Sequence, residues 1–200
     1  MYPAATVAPR TPLIFLLVVL LCSCKGTWAD RGGGIHHKGE KLWTVRGHVG
    51  APIKGKSLAW NGEDNVDNWG AGVWNHWFVR DRIALGAGVS GVMYKPGSRE
   101  VLGVELEGNF RWYFWEVKKP GFFWDFYGGV LFTENPIPPR GTSTNFSFAF
   151  GPGVEFPLGK KLRGFVGAQY HHISNALGRE SDMNPAQNEI RGWFSIGRTW

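Results

Sequence analysis

Two hundred residues are enough for one domain with a real core or for one closed barrel, and a formal net charge of +6 suits an anionic partner such as nucleic acid, phospholipid or lipopolysaccharide. The 29 Gly, 11 Trp and 14 Phe, with no long polar helical segment, argue against an ordinary helical soluble enzyme. Both cysteines, Cys22 and Cys24, sit near the start, so a chain cleaved after them has no thiol left for a disulfide or a Cys-ligated metal.

The N-terminal stretch "PLIFLLVVLLCSC" (Pro12 to Cys24) is an apolar run behind one early cation, Arg10, with small residues after it. It is short for a spanning helix and reads as an export signal, which argues against a nucleic-acid partner. Residues 1–29 are the expected signal peptide, ending at Ala29. A lipoprotein signal ending before Cys24 is the alternative, although bulky Cys22 stands where a small residue is usual. Residues 30–41, "DRGGGIHHKGEK", read as a flexible lead-in, and 42–200 as the folded domain.

From there the dominant period is two. Strands are predicted at about 42–50, 71–79, 83–94, 101–116, 122–132, 145–156, 162–174 and 188–200, the first two weakly patterned. In Val101 to Glu116 one parity carries Leu102, Val104, Leu106, Phe110, Trp112 and Phe114, and the other carries Glu105, Glu107, Asn109, Arg111 and Tyr113. In 122–132, Phe122, Trp124, Phe126, Val130 and Phe132 oppose Asp125 and Tyr127; in 146–156, four phenylalanines and Val154 oppose small residues and Glu155. Tight turns near 80–82, 118–121 and 157–161 alternate with longer connections near 51–69, 95–100, 133–144 and 175–187. The last strand ends on aromatic Trp200, which resembles the C-terminal signature of bacterial outer-membrane proteins.

A soluble sandwich would also alternate, burying its bulky face and wetting its polar one. Here the polar face mixes glycine with Glu and Arg, as a narrow charge-paired lumen requires, while the bulky face is aromatic, as a lipid-facing wall requires. The expected fold is therefore all-β: an eight-stranded antiparallel transmembrane β-barrel filled by its own side chains, in the bacterial outer membrane.

In 162–174, "LRGFVGAQYHHIS", the mainly apolar parity holds Leu162, Val166, Ala168 and Tyr170, and also His172 and Ser174. That parity aims His172 and Ser174 out of the wall toward lipid, at outer-leaflet depth. Alternate residues of one strand lie about 6–7 Å apart, close enough for the side chains to lean together. Polar groups facing lipid are costly unless paired or functional; an interfacial polar girdle is the structural alternative.

The string His172-x-Ser174-Asn175-Ala176, preceded by Tyr170 and followed by Asn184-Pro185-Ala186-Gln187-Asn188, resembles the motif of the outer-membrane lipid A deacylases (PagL-type, often labelled acyloxyacyl hydrolases). The resemblance spans about twenty residues. It implies an eight-stranded barrel that hydrolyses the ester holding the acyl chain at position 3 of lipid A. It further implies Ser174 as nucleophile, His172 as general base and Asn175 as oxyanion-hole donor, without cofactor or metal.

At the position of the family's orienting acid this chain carries Asn188, with Glu189 next to it as the alternative acid. Parity puts Asn188 on the outer face with His172 and Ser174, and Glu189 on the inner face with Arg191. An asparagine carbonyl can orient a histidine but supplies no charge to stabilise imidazolium. Glu180 and Asp182, in the preceding loop, are weaker candidates.

The pairs His36-His37 and His171-His172 raise the question of metal, but adjacent strand residues point apart and no carboxylate spacing completes a set. The glycine-rich pieces lack the following helix of a phosphate loop. Arg163, Glu105, Glu107 and Arg111 read as a lumenal charge network. The rivals to the deacylase are a non-catalytic structural or adhesive barrel and an esterase of another exported lipid. Lipopolysaccharide and the outer membrane are the expected partners, and a homodimer is left open.

Overall fold

The computed structural model describes residues 36–53, 55–57, 60–62, 66–116, 120–175 and 186–200. The expected signal peptide and residues 30–35 of the lead-in lie outside the described residues. Among the described residues ten strands follow in order: β1 (Lys41–Pro52), β2 (Gly55–Ser57), β3 (Trp60–Gly62), β4 (Val66–Arg80), β5 (Ile83–Pro96), β6 (Val101–Glu116), β7 (Gly121–Ile137), β8 (Thr142–Pro157), β9 (Leu162–Ser174) and β10 (Gln187–Thr199). β2 and β3 form a separate small hairpin, and the other eight close an antiparallel barrel. Closure runs through β1 and β10, from Leu42 opposite Thr199 to Pro52 opposite Glu189. The amide of Trp200 donates to the Lys41 carbonyl at 3.1 Å, so the barrel sheet itself closes without a free edge.

The alternation in sequence becomes the two faces of the wall. Outward side chains include Val49, Leu85, Leu102, Leu106, Phe132, Val166 and Phe194, each at least about two-fifths exposed. In water such a continuous apolar belt would be unfavourable around the whole circumference; in hydrocarbon it is the stable arrangement. The barrel therefore spans a membrane, and closed barrels of this kind reside in the bacterial outer membrane.

Inward residues fill the lumen in layers. An apolar plug of Leu42, Phe78, Tyr113, Phe123, Phe165 and Trp193 closes the end that carries the short turns. A second plug, built from Val66, Val92, Tyr94, Val101, Leu131, Ile137 and Ile173, lies toward the loops. Between them sit the charges. Arg111 clasps Asp125 through Nε at 2.7 Å and Nη2 at 2.8 Å. Arg46 reaches the same carboxylate at 3.4 Å and lies against the rings of Trp74, Tyr127 and Trp193. Glycines on the inner wall make room for these rings: a Cβ at Gly88 would overlap the Trp74 indole, and one at Gly167 the Trp193 indole.

Two differences from the sequence-based expectation have physical causes. Residues 133–144 read as one of the longer connections, yet β7 runs to Ile137 and β8 starts at Thr142. A register irregularity between Phe132 and Ile137 takes up Pro136, and Asn145 Nδ2 donates to the Ile137 carbonyl at 2.9 Å. The end of the expected lead-in packs against the barrel. His36 is fully buried, stacks on Phe78 with ring centroids 4.2 Å apart, and contacts Glu40 at 2.9 Å and Glu155 at 2.8 Å.

Candidate functional site

β9 and β10 are neighbours in the barrel, and their register sets the candidate residues. His172 lies directly opposite Asn188, His171 opposite Glu189, and Tyr170 opposite Ile190. Because successive strand residues face opposite sides, one hairpin presents two different polar clusters, one outside and one inside.

On the outer face, His172 Nδ1 and Asn188 Oδ1 are 2.7 Å apart. The amide oxygen can only accept, so Nδ1 carries the proton and Nε2 is left as the basic nitrogen. Asn188 Oδ1 accepts a second hydrogen bond, from the Tyr170 hydroxyl at 2.5 Å. The backbone of Asn188 is held on its other side by the Ile53 amide, which donates to its carbonyl at 2.8 Å. Ser174 is two residues beyond His172 on the same parity, partly exposed and opposite Phe146 of β8; Asn175 follows directly as β9 ends.

This part of the wall departs from simple alternation. Val166 on the same parity is 48% exposed, whereas His172 is 6% and Asn188 1% exposed. Parity alone has His172 and Ser174 emerge toward lipid; His172 lies on that face but is recessed, whereas Ser174 is partly exposed. Phe148 stands opposite His172 on β8, and the Phe150 ring lies 5.6 Å from that of Tyr170, so aromatic neighbours flank the polar group. His172 is thus recessed and largely desolvated, while the Ser174 side chain two residues on is partly exposed.

On the inner face, Glu189 belongs to a different set. Its Oε1 lies 2.7 Å from His171 Nδ1 and 2.5 Å from Arg191 Nε, and its Oε2 accepts from Gln187 Nε2 at 3.0 Å and from Asn68 Nδ2. Glu105 completes the cluster, meeting His171 Nε2 and Arg191 Nη1 at 3.1 Å each. The geometry thus places Asn188, and not Glu189, beside His172. Glu180 and Asp182 lie outside the described residues.

His171 and His172 face opposite sides of the wall, and among the described residues no group of three His, Cys, Asp or Glu side chains could hold a metal ion. The role of the Tyr170 hydroxyl was not anticipated from the sequence, where Tyr170 stood out as an aromatic on the outer parity and as the residue preceding the motif.

No family model and no curated protein matches the chain. Solved structures do. The chain is similar to the outer-membrane enzyme PagL, with a TM-score of 0.56 at 17% identity, covering 76% of this chain and 97% of that one. It is similar to Neisserial surface protein A, with a TM-score of 0.54 at 12% identity over 81% and 96% of the two chains. OprG from Pseudomonas aeruginosa gives 0.50 at 10% identity over 82% and 97%. At these identities the likeness is one of fold, the eight-stranded outer-membrane barrel, and that fold serves proteins of different kinds.

Proposed function

We propose that this outer-membrane barrel is a lipid A deacylase that cleaves the 3-linked acyl ester of lipopolysaccharide from its outer wall. The observation that carries the reading is the pairing of His172 Nδ1 with Asn188 Oδ1 at 2.7 Å, on the lipid-facing parity and two residues from Ser174. A buried polar pair on that face is expensive unless it does something. The motif around it is the one that resembles the lipid A deacylases.

In this reading the Ser174 hydroxyl attacks the ester carbonyl while His172 Nε2 takes its proton, and Asn175 donates to the oxyanion. Collapse of the tetrahedral intermediate breaks the ester C–O bond, and His172 gives its proton to the departing sugar oxygen, which leaves as a hydroxyl. Water then attacks the acyl-serine with His172 again as base, releasing the fatty acid and restoring Ser174. The wall position lets the acyl chain stay in the membrane throughout. Neutral Asn188 favours a second reading, a structural or adhesive barrel in which the motif persists without chemistry. An esterase of another exported lipid is the third.

The deciding experiment refolds the full chain in detergent, incubates it with purified lipopolysaccharide, and follows lipid A by mass spectrometry. Loss of one 3-linked acyl chain is expected. Ser174→Ala and His172→Ala should each remove activity by several orders of magnitude without unfolding the barrel, because nucleophile and base act as a unit. Asn175→Ala should cost about 10²–10³ in kcat. Full activity in Ser174→Ala would refute the mechanism, and an inert parent would leave the structural reading standing.

A further inference from the structure

We infer that Tyr170 is a positioning residue: its hydroxyl fixes the orientation of the Asn188 amide and thereby selects the histidine tautomer that leaves His172 Nε2 basic. The inference rests on the deacylase reading only for its effect on rate; its structural content stands on the hydrogen bonds alone.

A carboxylate at the orienting position has two equivalent acceptor oxygens, so either rotation about its terminal bond receives the Nδ1 proton. An amide does not. If the Asn188 side chain turns over, its NH2 group faces His172 and donates to Nδ1, which drives the proton to Nε2. Nε2, the nitrogen that acts as base in the proposed mechanism, is then a donor and cannot take the serine proton. A neutral orienting residue therefore creates a choice that an acid never faces, and some second contact has to settle it.

Tyr170 is placed to do so. It lies two residues before His172 on the same outward parity, and its hydroxyl and His172 Nδ1 converge on one atom, Asn188 Oδ1, at 2.5 Å and 2.7 Å. A phenol is a strong donor and a weak acceptor, because its oxygen lone pair is delocalised into the ring. It favours the amide oxygen over the amide nitrogen. The carbonyl has two lone pairs, enough for both donors. Burial sharpens the preference: Tyr170 is 7% and Asn188 1% exposed, so water competes poorly for either group. The Tyr170 ring is itself held against Phe150, which limits where the hydroxyl can go.

Tyr170→Phe is the informative variant, since it keeps the ring and removes only the donor. Two readouts are made on full-length protein refolded in detergent micelles. The first is the 15N spectrum of histidine-labelled protein, assigned to His172 by its loss in His172→Gln. The parent should show the Nδ1–H tautomer, and Tyr170→Phe a mixture with substantial Nε2–H. The second is deacylation of lipopolysaccharide, where kcat should fall about tenfold with KM held, the size of one lost hydrogen bond. In an Asn188→Asp background the cost of losing the hydroxyl should shrink, because a carboxylate cannot present a donor. A parent with Nε2–H, or a Tyr170→Phe protein that keeps a pure Nδ1–H tautomer, would overturn the inference. Because the spectrum reads the tautomer without turnover, an inert parent with the tautomer change intact would reject the deacylase reading and leave the Tyr170 lock supported.

Discussion

His172 and Asn188 are direct partners across β9 and β10, joined by a 2.7 Å contact on the outer face, while their sequence neighbours His171 and Glu189 meet at 2.7 Å on the inner face. One hairpin therefore carries two histidine–partner pairs back to back. The outer pair has a neutral partner and the inner pair a charged one.

This separation gives a prediction for rate. Asn188→Asp is isosteric, keeps an acceptor against Nδ1 and adds the charge that stabilises imidazolium. Exchanging a triad carboxylate for its amide can cost about 10⁴, so the reverse change should raise kcat at neutral pH by at least about tenfold. Glu189→Gln should instead weaken the lumenal cluster it shares with Arg191 and His171 and lower stability. Side-by-side deacylation rates check this. An inert Glu189→Gln enzyme beside an unaffected Asn188→Ala would reassign the orienting role to Glu189.

The membrane wall can be tested with a single charge. Leu106, the sixth of the 16 residues of β6, is 51% exposed on the apolar belt. Leu106→Arg should destabilise the barrel in lipid vesicles by about 2–4 kcal/mol, the cost of a cation near the bilayer midplane. On a water-exposed surface the same change would be close to neutral. Urea unfolding in vesicles distinguishes the two.

In the lumen, Asp125 balances Arg111 and Arg46 and also accepts from Tyr127 at 2.7 Å. Asp125→Asn should cost about 3–5 kcal/mol, because removing one partner strands buried positive charge. Coupling to Arg111 is checked by the Arg111→Met/Asp125→Asn double variant, which should recover part of the loss. Additive losses would argue against a shared site.

His36 predicts a pH dependence at the turn end. Burial alone lowers its pKa, but the hydrogen bonds and charges of Glu155 and Glu40 outweigh burial and leave it raised above the ordinary value of 6.5. A group whose folded pKa is raised contributes stability that is fully present below its unfolded pKa. That contribution is lost as pH rises through the higher folded value. The thermal midpoint of the parent should fall relative to His36→Gln as pH is taken from about 6 to about 9, bracketing the ordinary value. Midpoints that stay parallel across the range would remove His36 from the closure of the barrel floor.

Much of this protein is written in the parity of its residues. Alternation from Leu102 to Phe114 against Glu105 to Tyr113 determines a two-faced strand, and the contrast between an aromatic face and a Gly, Glu and Arg face determines which side meets lipid. Parity also separates Asn188 from Glu189, since neighbouring strand residues cannot share a face. What parity cannot encode is distance across strands. The 2.5 Å contact from Tyr170 to Asn188 depends on the β9–β10 register and on side-chain rotamers. The recessed setting of His172 departs from the alternation that leaves Val166 exposed on the same face. Burial of His36 depends on Glu155, which lies 119 residues further along the chain. Periodicity is a local property and reaches as far as one strand; closure brings separate strands into contact, and only the folded barrel decides which polar atoms meet.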